Sequence, residues 1–208
     1  MLNKVDHLVY ACQDLAEGLD IVENLLGVKA SAGGRHPAFG THNKLFSLGD
    51  ACFLEVIAPD PERVSPDLPS IFHIDKISRP RITTWAAKES AMVGRLKKLK
   101  QQGIDFGAMQ PGQRQKPDGT IISWQLTNPY KVLGDGLIPF LIDWGNTPNP
   151  GLSAAKGCQL LDLKLFHPVP SNCQAILDAL DLPIVVEPGA TPKIMARIAC
   201  PNGIVELY

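Results

Sequence analysis

His7 and Glu55 are the two side chains whose types and surroundings point most directly to chemistry. Each lies near the middle of a short segment that alternates apolar and polar residues, which is the pattern of a half-buried strand. Successive side chains of a strand point to opposite faces, so His7 is expected to share a face with Val5 and Val9. If His7 and Glu55 lie on one concave face, they form half of a metal site, or Glu55 serves as a base in a metal-free pocket.

The segments that carry these residues belong to a unit of one strand, one helix and three strands. This first unit spans residues 1–60, and Asp14 and Glu17 form a capping box at the start of its helix. A glycine-rich loop is expected at 33–37, and a strand is expected at 41–48.

The same order of elements occurs twice more along the chain. A proline-rich connector, residues 61–80, leads to a second unit at 81–146, whose helix is expected to begin at Ser90. The third unit spans 158–208, with Ser171 at the start of its helix. Together they predict an α+β fold of three βαβββ modules, a curved, cup-shaped mixed β-sheet with helices on its convex side. An odd number of modules leaves one without an internal partner, so a homodimer is expected.

The spacing between strand and helix aligns side chains of the different units. His7 precedes Asp14 by seven residues, and Thr83 precedes Ser90 by the same number. Thr83 is therefore expected at the position in the second unit that His7 has in the first.

The position of Glu55 retains a carboxylate in all three units. Asp143 corresponds to it approximately in the second unit, and Glu206 in the third. Lys164, at the histidine position of the third unit, is expected to form an ion pair with Glu206. This pairing would neutralise both residues, so the first two units are favoured as the cup.

The composition is that of an ordinary globular protein, and it limits the partners. Of the 208 residues 45% are hydrophobic, which allows a sizeable core. Twenty basic and 21 acidic residues give a net charge of −1 with no basic stripe, so neither nucleic acid nor membrane is expected as a partner. The sequence has no secretory pattern, no membrane-span-length apolar stretch and no C-x-x-C arrangement, so a cytoplasmic protein with reduced thiols is expected. A small-molecule ligand remains the expected partner.

Several short motifs resemble the vicinal oxygen chelate superfamily, in particular its glyoxalase-like domain branch. The resemblance rests on the order and spacing of these segments: Asp6–Tyr10, Gly34–Pro37, Gly40–Asn43, Leu48–Asp50, Phe53–Glu55, Phe140–Gly145 and His167–Pro168. It covers nearly the whole chain and is strongest over residues 1–60. It implies the glyoxalase/bleomycin-resistance/dihydroxybiphenyl dioxygenase fold, in which paired modules form a cup around a divalent metal.

The resemblance also implies the metal ligands and their chemistry. In that superfamily, first-strand histidines or glutamines and last-strand glutamates bind the metal, and His7 and Glu55 match this pattern. A third donor is needed. It is Asp143 if the first two units form the cup, which is the favoured arrangement, or Glu206 if the first and third units do. Zn, Mn, Ni or Fe(II) would then chelate two adjacent oxygens of the substrate. The metal is optional, because Thr83 and Lys164 do not complete the standard ligand set.

The residues expected to bind substrate are Arg35, His36, Thr41, Asn43 and Trp144. Arg35 and His36 are placed to close over the cup and to bind a carboxylate or phosphate. In the strand at 41–48, Thr41 and Asn43 are favoured over His42 as cup-facing residues, because the apolar residues that would accompany His42 suit the helix-covered face.

Three classes of function remain open. The first is a metal-dependent enzyme of the glyoxalase type, with Glu55 as the catalytic residue and with lyase, isomerase or dioxygenase chemistry on a small oxygenated metabolite. The second is a non-catalytic small-molecule or antibiotic-sequestering protein with the same cup and no metal. The third is an interaction module. The incomplete ligand set favours the second class, whereas His7 and Glu55 on one face favour the first.

Overall fold

The computed structural model describes residues 2–63, 70–115 and 118–208. Part of the expected connector, residues 64–69, therefore lies outside the described residues. In the first unit the elements are β1 (Val5–Ala11), α1 (Leu15–Leu26), β2 (Ser31–His36), β3 (Thr41–Ser47) and β4 (Phe53–Pro59). The predicted start of the first helix is confirmed, because the Asp14 side chain accepts a hydrogen bond from the backbone N–H of Glu17 at 3.0 Å.

The second unit repeats this order of elements. It consists of β5 (Arg81–Lys88), α2 (Met92–Gln101), β6 (Gln110–Gln115), β7 (Ile121–Leu126) and β8 (Phe140–Asp143). The helix begins after Ala91, and Ser90 does not cap it; instead the Glu89 carboxylate accepts from the Ala91 N–H. Sequence analysis missed β6, whose glutamines, proline and glycine lack the apolar alternation of a strand.

Strands of the first two units close into one barrel in the order β1-β4-β3-β2-β6-β7-β8-β5. One seam is the long antiparallel pair β1–β5, and the other is the β2–β6 contact at Arg35 and Gln115. The β1–β4 and β5–β8 pairs, on either side of the β1–β5 pair, are parallel, and the other six pairs are antiparallel. The helices lie outside the barrel. The predicted α+β fold with a curved mixed sheet is confirmed.

The third unit forms a separate sheet with a different strand order. It consists of β9 (Gln159–His167), α3 (Pro170–Ala179), β10 (Val186–Pro188), β11 (Lys193–Cys200) and β12 (Gly203–Leu207), in the order β10-β9-β11-β12. Its helix starts at Pro170, so Ser171 does not cap it. The expected ion pair of Lys164 with Glu206 is wrong, because the Lys164 ammonium lies 3.5 Å from Glu187, on the neighbouring strand β10.

A single hydrophobic core joins the outside of the barrel to the helices and to the third sheet. Leu8 and Trp85 contribute from the β1–β5 seam, Val22 from α1, Leu99 from α2 and Leu165 from β9. The third sheet therefore covers the seam between the first two units. No helix among the described residues is long and apolar enough to cross a membrane.

Strand β2 shows why a segment that looks like a loop forms part of the barrel wall. A Cβ atom built on Gly33 would lie 1.9 Å from the backbone oxygen of Asn43, and one on Gly34 would lie 2.3 Å from that of Gln115. The two glycines are therefore required because β3 and β6 approach β2 too closely for any side chain. The interpretation of residues 33–37 as a loop is wrong for residues 33–36, which belong to this strand.

Gly34→Ala is expected to weaken barrel closure, because the added methyl group overlaps backbone atoms that cannot rotate away. We expect the free energy of unfolding to fall by roughly 1–3 kcal/mol in urea denaturation. The matched control is Gly94→Ala in α2, where a Cβ would have no atom within 4 Å. That variant should gain roughly 0.5–1 kcal/mol from the higher helix propensity of alanine. Equal effects of the two substitutions would show that β2 is not tightly packed.

Candidate functional site

The interior of the barrel contains a chamber that, together with the space at its opening to solvent, has an empty volume of about 480 Å³. Its wall is mostly aromatic and aliphatic, with contributions from seven of the eight barrel strands. A few polar side chains interrupt this wall: His7 from β1, His36 from β2, Asn43 from β3, Glu55 from β4 and Arg114 from β6. An apolar pocket with a few convergent polar groups is the usual form of a small-molecule site.

A β-bulge places Asp6 next to His7. The register of β1 against β5 shifts between Val5 and His7, so Val5 packs in the outer core while His7 lines the chamber. The expectation that His7 shares a face with Val5 is therefore wrong, although Val9 does face the barrel interior.

Asp6 is fully buried, and its carboxylate is satisfied by three side chains. It lies 2.7 Å from Nδ1 of His7, 3.1 Å from Nε1 of Trp144 and 2.9 Å from Nδ2 of Asn149. An ionised carboxylate only accepts hydrogen bonds, so Nδ1 of His7 carries the proton. Nε2 of His7 then faces the chamber, 3.8 Å from Oε2 of Glu55.

Asn43 connects Glu55 to a buried arginine. Its amide nitrogen donates to Oε1 of Glu55, and its amide oxygen accepts from Arg114 at 3.1 Å. Arg114 is only 4% exposed. Burial lowers the pKa of its guanidinium, and attraction to Glu55 opposes that shift. An arginine keeps its proton in proteins, so the chamber contains a fixed positive charge beside a carboxylate.

His36 is a neutral member of the same wall. Its Nδ1 lies 2.9 Å from the hydroxyl oxygen of Thr41, and its ring meets Trp124 edge-on at 5.8 Å. Burial is the main reason that its pKa falls to about 4, and the charge of Arg114 lowers it further while Glu55 opposes both effects. His36 therefore contributes hydrogen-bonding atoms and no charge at neutral pH.

The structure brings together many, but not all, of the side chains that sequence analysis selected. His7, Glu55, His36, Asn43 and Trp144 line the chamber, and Thr41 is buried behind His36. Arg35 lies on the outer face of β2, where its guanidinium forms ion pairs with Asp60 and Glu62. Asp143 points away from the chamber and accepts the backbone N–H of Gly145 at 2.8 Å.

Strand registers explain why the second unit supplies no metal ligand. The bulges in β1 and β5 make Thr84, rather than Thr83, the counterpart of His7, and this agrees with a helix that begins after Ala91 instead of Ser90. In the first unit, Val9 of β1 pairs with Glu55 of β4. Ala86 of β5 has the position of Val9 in the second unit, and it pairs with Phe140 of β8. Phe140 and Thr84 thus occupy the second unit's ligand positions.

The residues of the chamber do not fit a metal site with three protein ligands. Among the described residues no group of three or more His, Cys, Asp or Glu side chains is arranged to hold a metal ion. His7 and Glu55 provide two donors, Asp143 is directed elsewhere, and the guanidinium of Arg114 already supplies a positive charge near Glu55.

Arg114 is the functional candidate that sequence analysis missed. It lies on β6, the strand that was not recognised, and its side chain packs against Gly34 across the β2–β6 seam. The repeat itself held the necessary signal, since a second βαβββ unit requires a strand between α2 and β7. Placing that strand would have put Arg114 opposite β2 of the first unit.

His36 should make stability depend on pH, because its pKa is about 4 in the folded protein and 6.5 in the unfolded chain. The unfolded state binds more protons between these values, so stability is lost as the pH falls from 6.5 towards 4. Between pH 7 and pH 5, wild type should lose about 2 kcal/mol more unfolding free energy than His36→Gln. Urea denaturation at both pH values measures the difference. The exposed His73 is the matched control, and His73→Gln should lose stability as wild type does.

Comparisons with known proteins agree with this architecture. A family model described as a glyoxalase-like domain matches residues 5–180. A hypothetical protein from Staphylococcus aureus has a similar structure, with a TM-score of 0.69, 15% identity, and coverage of 91% of this chain and 87% of that chain. Methylmalonyl-CoA epimerase from Mycobacterium tuberculosis is a more distant neighbour, with a TM-score of 0.45, 19% identity, and coverage of 68% and 88%.

No curated protein matches the chain. The likeness to the solved structures concerns the fold. The family match extends over both barrel units and into the third unit, and it agrees with the motifs around His7 and Glu55. The chain belongs to the glyoxalase-like domain family of the vicinal oxygen chelate superfamily.

Proposed function

We propose that the barrel chamber binds a small carbonyl-bearing acid and that Glu55 moves a proton at the carbon beside the carbonyl group, as in an isomerase or lyase. The observation that carries this proposal is the presence of Glu55, His7 and Arg114 in one small chamber with an otherwise apolar wall. A base and a fixed cation in such a space are the two groups that enolate chemistry requires.

Binding is assigned to Arg114. One of its nitrogens donates to Asn43, and the remaining N–H groups of the guanidinium can bind a carboxylate or a carbonyl oxygen. Phe53, Phe140 and Trp144 surround the apolar part of the ligand and exclude water, which strengthens each charged contact.

Proton transfer is assigned to Glu55 and His7. Glu55 takes the proton from carbon, and the electron pair of the C–H bond moves into an enolate whose oxygen faces Arg114. His7 Nε2, 3.8 Å from Oε2 of Glu55, receives that proton, because Asp6 holds the other ring nitrogen in its protonated form. A proton then returns through Glu55 to the enolate, whose electron pair forms the new C–H bond and regenerates neutral His7. The resulting imidazolium lies between two carboxylates, which stabilise its charge.

No step of this mechanism passes through a metal ion. The sequence also predicted a mechanism assisted by a divalent metal. In that mechanism His7 and Glu55 would bind the metal, and water or the substrate would have to supply every other donor. A non-catalytic binding protein remains the alternative function, and it would use Arg114 without proton transfer.

Glu55→Gln should slow proton exchange strongly while leaving the chamber intact. In deuterium oxide with a panel of short 2-oxo acids, we expect wild type to incorporate deuterium beside the carbonyl, as followed by proton NMR. The variant should be slower by at least about 100-fold, since general-base catalysis contributes roughly 10²–10⁴. Glu206→Gln, on an exposed strand of the third unit, is the matched control and should exchange at the wild-type rate.

Arg114→Met tests binding separately from proton transfer. Loss of a charged hydrogen bond should weaken binding of the same acids about 10- to 100-fold in calorimetry. Binding that depends on Arg114 without any exchange in wild type would favour the non-catalytic alternative. Exchange that persists in Glu55→Gln would contradict the role of Glu55.

Metal titration gives a further test of the donor set. Because the described residues offer His7 and Glu55 but no third protein ligand beside them, we expect no tight stoichiometric uptake of Zn, Mn, Ni or Fe(II) by calorimetry. Exchange activity should also survive a chelator. Uptake of one ion per chain that is lost in His7→Ala would instead support the metal-assisted form.

A further inference from the structure

A second space lies against the wall of the chamber, on the outer side of strands β6, β7 and β8. This outer groove has an empty volume of about 1200 Å³ and is formed by Ala38, residues 111–113 and 123–125, and residues 143–147. Trp124 and Trp144 line both the outer groove and the chamber. The two spaces are therefore neighbours, separated at this point by the rings of two tryptophans.

The two tryptophans are held differently. Trp144 donates its Nε1–H to the buried carboxylate of Asp6. Trp124 makes no side-chain hydrogen bond within the described part of the chain; its ring lies over Gly112, where a Cβ atom would come within 2.3 Å of it. The ring centroids are 5.2 Å apart and the planes are tilted by 52°. Trp124 can thus change its position without leaving a buried carboxylate unpaired, whereas Trp144 cannot.

The outer groove combines apolar surface with several uncharged polar side chains, and none of its lining residues is positively charged. Gln113, Ser123, Gln125 and Asn146 present amides and a hydroxyl, and Asp143 is the one ionisable side chain among the lining residues. Amides and hydroxyls both donate and accept hydrogen bonds, and a carboxylate accepts them from hydroxyl or amide groups. A phosphate placed here would face Asp143 without a compensating cation, which is unfavourable.

We infer that the ligand has a second part, an uncharged tail bearing hydroxyl or amide groups, which passes the tryptophan pair and lies in the outer groove. This inference rests on the proposed function for the head group, which Arg114 holds in the chamber. It adds the class of the substrate: an oxo acid extended by a neutral polar chain, and not by a phosphorylated one.

Three probes separate the head from the tail. Pyruvate supplies the head alone, 2-keto-3-deoxygluconate adds a neutral hydroxylated tail, and 2-keto-3-deoxy-6-phosphogluconate differs from the latter by one phosphate. In calorimetry with wild-type protein, we expect the neutral tail to improve affinity at least about tenfold over pyruvate. The phosphate of 2-keto-3-deoxy-6-phosphogluconate should remove that gain in affinity. Equal affinity for all three would overturn the inference while leaving the proposed function in place.

Variants locate the tail. Trp124→Ala should lower the affinity for 2-keto-3-deoxygluconate more than the affinity for pyruvate, so that the ratio of the two affinities falls. Gln125→Lys should bring a cation into the outer groove and raise affinity for the phosphorylated probe relative to the neutral one. Gln102→Lys, at the exposed end of α2, is the matched control and should leave the ratio unchanged. If the control changes the ratio as much, the groove does not hold the tail. Failure of all three probes to bind wild type would overturn the proposed function together with this inference.

Discussion

The buried carboxylate of Asp6 is the interaction on which the site depends. It is fully excluded from solvent, and its donors come from β1, from the end of β8 and from the connector to the third unit. An unpaired charge at this depth would cost several kcal/mol, so these three segments are constrained to meet. The same contact sets the tautomer of His7 and fixes Trp144 in the chamber wall. One bulge in β1 thus determines both the chemistry of an imidazole and the shape of the space around it.

Each charged group inside the barrel has hydrogen-bonding partners. Glu55 and Arg114 are joined through Asn43, and Asp6 is satisfied by donors from His7, Trp144 and Asn149. His36 lies in the same wall and is neutral because burial opposes its protonation. Within a low-dielectric chamber, each of these contacts is stronger than it would be in water. The arrangement leaves the unbonded donors of Arg114, the lone pair of His7 Nε2 and Oε2 of Glu55 as the groups that a ligand can engage.

The third unit contributes stability and no chamber residue from its own strands. Its sheet packs on the β1–β5 seam in the same core as α1 and α2. Backbone hydrogen bonds from Leu160 to Leu48 and from Ile82 to Tyr208 attach it to the barrel. The two barrel units join through their first strands, β1 and β5, which pair with each other. In the third unit the first strand, β9, already has β10 on one side and β11 on the other, so this unit cannot pair with a barrel unit in the same way. The connector before it nevertheless reaches the site through Asn149 and Pro150.

The sequence alone determined the fold class and identified two side chains, His7 and Glu55, that meet in the candidate site. Local signals were sufficient for this, since Asp14 caps α1 as expected and the alternation around His7 and Glu55 identifies their strands. Contacts between distant segments decided the rest. Gly33 and Gly34 form a strand because neighbouring backbones approach closely, and β6 forms without apolar alternation because it pairs with β7 and closes the barrel. Arg114 enters the chamber, and Asp143 leaves it, through registers that no local pattern encodes. A shift of one residue at a bulge exchanges the faces of a strand, and only the packed sheet fixes where that shift occurs.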